Sequence, residues 1–110
     1  MKHILLTLTL ILCLTTMVKA QIVVMHFNAG WNEANNVAWV EELEDCDIEF
    51  IDIAKKPKLQ QQYEVVVVPT ILILQYDEEK KRYQGDLSFK LSATREEVQE
   101  KIDELVLSGF

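Results

Sequence analysis

The chain has 110 residues, one domain's worth, with 11 basic against 18 acidic residues and a net charge of −7. That balance repels nucleic acid and anionic lipid, and suits solubility and basic partners. The acids are scattered and form no D-x-D-x-D-G loop, so they read as a solvated exterior and not as a calcium site.

Lys2 and His3 open the chain, Ile4 to Val18 is apolar with threonines, and Val18-Lys19-Ala20 ends in a small residue. This layout predicts a secretory signal peptide over residues 1–20, cleaved after Ala20. The protein is then exported, periplasmic or secreted, with its domain over residues 21–110. The alternative is a membrane anchor, should residues 4–18 stay uncleaved. That run of 15 residues falls short of the roughly 20 that span a bilayer. Cleavage removes Lys2 and Lys19 and no acid, leaving 9 basic against 18 acidic residues and a net charge of −9. It also removes Cys13, so Cys46 has no partner for an internal disulfide.

Gln21 to Phe27 is a compact apolar run bounded by Asn28-Ala29-Gly30, a buried strand. Val37, Val40 and Leu43 then recur at three-residue spacing, with Glu41, Glu42 and Asp45 on the other side. We read residues 33–45 as an amphipathic helix capped by Asn32. Ile48 to Ile53 makes a second strand. Pro57 suits a first helical turn, and Lys58 to Tyr63 form a short helix. Val65 to Leu74 is the most apolar stretch of the domain. Proline cannot sit mid-strand, so Pro69 starts a strand buried on both faces, and a cis Val68–Pro69 bond would shape its kinked entry. Asp77 to Lys81 is a polar hairpin turn of open type, and Arg82 to Gly85 returns as a charged edge strand. Thr94-Arg95-Glu96-Glu97 has capping-box spacing. Val98, Ile102, Leu105 and Val106 lay an apolar stripe on a closing helix. The first strand-helix-strand unit implies parallel pairing and the last two strands are antiparallel. Together they give an α/β fold with a mixed four-stranded sheet flanked by helices.

Three stretches resemble the thioredoxin superfamily: Phe27-Asn28-Ala29-Gly30-Trp31, Phe50-Ile51-Asp52-Ile53 with Pro57, and Tyr63-Glu64-Val65 followed by Val68-Pro69-Thr70. The resemblance covers about residues 22–107 and implies a thioredoxin-like fold with a cis Pro69 facing a motif loop. Where the family carries Trp-Cys-x-x-Cys, this chain has Trp31-Asn32-Glu33-Ala34-Asn35. An amide at the first position cannot attack a disulfide, and Asn35 cannot resolve one. The family's buried acid is replaced by His26. The resemblance therefore implies a retired redox site.

Each of these residues also has a plainer role. Asn32 is a helix cap, Trp31 a packing residue and His26 a hydrogen-bonded interior histidine. Cys46 lies between Asp45 and Asp47, whose charges raise its pKa and blunt its reactivity, so it reads as a small filler. His26 is the only histidine beyond the first twenty residues, which leaves little from which to build a metal site. No metal, cofactor or nucleic acid is expected. The leading expectation is a redox-inactive module that binds a protein or extended peptide in a groove formed by Trp31, Val68, Pro69 and Thr70 through strand addition. The alternatives are a weak thiol-disulfide enzyme using Cys46 alone, and a structural subunit of an envelope or surface assembly.

Overall fold

In the computed structural model the described residues are 21–109; the signal-peptide reading of residues 1–20 lies outside them. Ile22–Asn28 form β1, buried at six of seven positions. It pairs in parallel with β2 (Asp47–Asp52) and antiparallel with β3 (Thr70–Gln75). β3 is buried at all six positions and pairs antiparallel on its far side with β4 (Glu78–Gln84). The order β2-β1-β3-β4 is the mixed four-stranded sheet expected from the order of elements. A strand with both faces covered needs apolar residues at consecutive positions, which Ile22-Val23-Val24-Met25 and Ile71-Leu72-Ile73-Leu74 supply.

The short helix α1 (Pro57–Gln62) and the closing helix α2 (Arg95–Ser108) lie on opposite faces. Val98, Ile102 and Leu105 of α2 meet Val24, Ile71 and Ile73, together with Val37, Val40 and Leu43. On the other face Met25, Phe27, Ile51 and Leu72 meet Val65 and Val68, with Leu59 and Tyr63 of the α1 region packed against them. Thr94 caps α2, its hydroxyl accepting from the Glu97 N–H at 3.2 Å. The Val68–Pro69 peptide is cis, immediately before β3. Among the described residues no helix is long and apolar enough to cross a membrane.

Two elements differ from expectation. The helix read over residues 33–45 is instead two short 3₁₀ segments, Gly30–Asn35 and Ala38–Glu42. In a continuous α-helix the Val37 N–H would donate to the Glu33 carbonyl. Here it donates to His26 Nε2 at 3.1 Å, and the Asn36 N–H takes the Glu33 carbonyl. Asparagines at 32, 35 and 36 also compete with the backbone for such bonds. The spacing of three between Val37, Val40 and Leu43 matches the 3.0-residue turn of a 3₁₀ helix, and all three are buried. The second difference is the β3–β4 hairpin. Its turn is only Tyr76-Asp77, and Glu78 to Lys81 belong to β4. Both turn residues have positive φ, 51° and 66°, as a two-residue type I′ turn requires. The charged residues are accommodated because, among the described residues, β4 is an end strand of the sheet.

Candidate functional site

Phe27 pairs with Thr70, so the chain leaves β1 toward the Trp31–Asn35 motif at the end of the sheet where Pro69 enters β3. The motif is held by a network of side-chain amides. Asn28 Nδ2 donates to the Asn32 carbonyl (3.1 Å) and to Asn36 Oδ1. Asn32 Nδ2 donates to Asn28 Oδ1 (3.0 Å) and to the Phe89 carbonyl (3.2 Å). Asn35 Nδ2 donates to Asn32 Oδ1 at 2.8 Å. Asn28 and Asn32 are buried, and a buried amide left without partners is costly. Asn32 is therefore not the helix cap that its position suggested. The cap position is Ala29, with no side-chain bond, and the Asn32 amide spans from β1 to the loop after β4.

That loop joins the two halves of the site. The Gly85 N–H donates to the Pro69 carbonyl at 2.8 Å. A Cβ on Gly85 would lie 3.0 Å from both the Pro69 and Val68 carbonyl oxygens, a tight contact that glycine avoids and that another residue meets only by shifting the Pro69 loop by a few tenths of an ångström. Four residues on, Phe89 takes φ 60° and meets the Trp31 ring edge-on, with centroids 5.0 Å apart. Trp31 is 67% exposed and Phe89 42%, an aromatic pair open to solvent.

Of the predicted groove residues, Trp31 is exposed while Val68, Pro69 and Thr70 are buried. What this stretch offers is backbone. Among the described residues nothing pairs with the Val68 N–H or carbonyl, whereas the Val67 carbonyl accepts from Thr70 Oγ1 at 2.7 Å. Glu33 and Ala34 are exposed on the motif loop.

His26 is buried, as an interior histidine should be. Its Nε2 accepts from Val37 and its ring lies 5.1 Å from that of Phe50. Burial holds the imidazole below its ordinary pKa, opposed in part by a backbone hydrogen bond. Because Nε2 is the acceptor, the neutral ring is the form that fits. Cys46 precedes β2, whose first residue pairs with Val23, at the opposite end of the sheet from the motif. Burial first, then Asp47 and Asp45, push its thiol up to about 11. The flanking acids were legible in the sequence; the larger contribution, burial, was not.

A cleft of about 340 Å³ opens on the β2 side of the motif, lined by His26, Asn28, Gly30, Phe50, Asp52 and Lys55 among others. It is separate from the Pro69 side, because β1 lies between β2 and β3. Among the described residues no cluster of three or more His, Cys, Asp or Glu is placed to hold a metal ion.

Sheet order, helix placement and the motif–proline juxtaposition define a thioredoxin-like fold. Solved thioredoxins superpose on it. Thioredoxin 1 of the thermophilic eubacterium Thermosipho africanus matches at 25% identity and a TM-score of 0.62, over 80% of this chain and 99% of that one. A mutant thioredoxin of Halobacterium salinarum matches at 20% and 0.63, covering 78% and 75%. Thioredoxin-2, a component of the malaria parasite protein secretion machinery, matches at 17% and 0.64, covering 77% and 84%. No family model and no curated protein matches the sequence. The residues that sequence reasoning missed are Asn28, Asn36, Gly85 and Phe89. Four asparagines within nine positions were visible in the chain, but their partnership depends on the turn geometry.

Proposed function

We propose that this protein is an exported, redox-inactive member of the thioredoxin superfamily that binds an extended polypeptide beside Pro69. The observation that carries the reading is Asn32. At the position where the redox chemistry needs a thiolate stands a buried amide with both side-chain ends hydrogen-bonded. The Val68 backbone at the same end of the sheet, without a partner among the described residues, is suited to strand addition, and the exposed Trp31–Phe89 pair supplies apolar contact. Cys46 is a poor substitute nucleophile, since at about 11 its thiol is almost wholly protonated near pH 7. Export rests on the composition of residues 1–20.

Insulin reduction by dithiothreitol, with and without the protein, tests the first half. The expected rate is background, the same for the Cys46→Ala variant. Catalysis that disappears in Cys46→Ala would overturn the redox-inactive reading. For the second half, a photo-crosslinker at position 31 is introduced in a secreting host. It is expected to capture a polypeptide in the exported fraction. Retention of the whole chain in the membrane would favour the anchored alternative.

A further inference from the structure

We propose that the outer edge of β2 is a second polypeptide-binding site, one that takes an extended segment of a partner protein with basic and apolar side chains in alternation. Among the described residues β2 is the end strand of the sheet. The Ile53 N–H donates to the Asn28 carbonyl at 2.9 Å, which sets the phase of the parallel ladder. Backbone groups alternate in direction along a parallel strand, so those of Ile51 and Glu49 face β1 while those of Phe50 and Ile48 face outward. The Asp52 carbonyl is already used by the N–H groups of Lys55 and Lys56. Two residues thus present both donor and acceptor to an incoming strand.

The side chains define what that strand should be. Phe50 is 50% exposed although it packs on the buried His26 ring, and it forms one wall of the 340 Å³ cleft at the end of this edge. An apolar partner residue beside Phe50 covers a ring that water now touches. Glu49 and Asp47 project from the opposite face of β2 and are exposed. Opposite-charge pairs across strands stabilise and like-charge pairs destabilise, so basic residues belong there. The same rule disfavours a second copy of this chain, since pairing β2 with itself gathers two sets of Asp47 and Glu49 between two chains of net charge −7. This site is independent of the Pro69 groove, being on the other side of β1.

Amide hydrogen exchange on the full chain tests the proposal, with a Lys-Val-Lys-Val-Lys-Val peptide as probe and Glu-Val-Glu-Val-Glu-Val as control. At a probe concentration about ten times its Kd, exchange at Ile48 and Phe50 is expected to slow roughly tenfold, and the control to leave it unchanged. The Asp47→Lys/Glu49→Lys variant is expected to exchange these preferences. Phe50→Pro, which removes an outward N–H that the β1 ladder does not use, is expected to abolish the slowing. No slowing with the basic peptide overturns the proposal. So does protection of these amides in the dilute chain alone, because the edge would then already be covered. Protection that grows with protein concentration and without peptide assigns the edge to a second copy, and also overturns it. Slowing confined to Val68 would place the peptide at Pro69 instead.

Discussion

At Asn32 one amide holds three segments together: the end of β1 through Asn28, the motif through Asn35 and the loop after β4 through Phe89. Asn32→Ala leaves Asn28 Oδ1 and the Phe89 carbonyl without this partner. We expect a loss of about 1–3 kcal/mol, read from urea unfolding, with the Trp31 fluorescence environment altered because Phe89 is released. His26 makes stability depend on pH. Its folded pKa lies below the ordinary 6.5 of an exposed imidazole, so below pH 6.5 the unfolded chain binds a proton that the folded chain refuses. The contribution is complete above pH 6.5 and is lost as pH falls toward the folded pKa, at no more than about 1.4 kcal/mol per pH unit. Unfolding midpoints between pH 6.5 and 5 should fall in the native chain and stay flatter in His26→Gln, which keeps an acceptor for Val37 and cannot charge. Equal slopes would assign the pH dependence to the carboxylates.

The elements around the site are placed by contacts remote in sequence. Arg82 of β4 reaches the carbonyls of Tyr63 and Glu64 and also bonds Glu79, which ties the approach to Pro69 to the opposite edge of the sheet. Gly85 does the same from the strand's end. Its Cβ position is crowded by two carbonyl oxygens at 3.0 Å and by Pro69 Cδ at 3.1 Å, so a side chain there asks the backbone to shift. Gly85→Ala should therefore cost about 1–3 kcal/mol through displacement of the Pro69 loop. The urea midpoint should fall with the m-value unchanged, since no additional surface is exposed on unfolding. A neutral outcome would mean that the loop yields at little cost, and the groove with it.

The whole molecule has a thioredoxin-like fold with asparagines at positions 32 and 35 of the motif turn. Asn32 and Asn35 have side chains 2.8 Å apart at their polar atoms, on one turn at the end of the sheet that also holds Pro69. Positions three apart on one 3₁₀ turn are neighbours, and a bridge needs Cα separations of about 4.4–6.8 Å. Asn32→Cys with Asn35→Cys is expected to form a disulfide under mild oxidation, detected by the loss of alkylatable thiols other than Cys46. The variant should also be less stable than the native chain when reduced, because the amide bonds to Asn28 and Phe89 are gone. Two free thiols after oxidation in a folded protein would show that the turn no longer holds that geometry.

Local pattern was enough for the strands, for α2 and for the sheet they make. Continuous apolar runs and an i, i+4, i+7 stripe report burial wherever a residue's neighbours in sequence are also its neighbours on one face. The asparagines at 32 and 35 were equally plain, because the absence of a thiol there is a matter of residue identity alone. Tertiary structure decided the rest. The segment after Trp31 is 3₁₀ and not α because His26, eleven residues back, takes the Val37 N–H. Asn32 is a buried tie and not a cap because Phe89, fifty-seven residues on, brings its carbonyl there. The side chain of Val68 enters the core, and only its backbone is left without a partner among the described residues. A donor or acceptor can be counted in a sequence, but which group satisfies it depends on what the folded chain brings within about 3 Å.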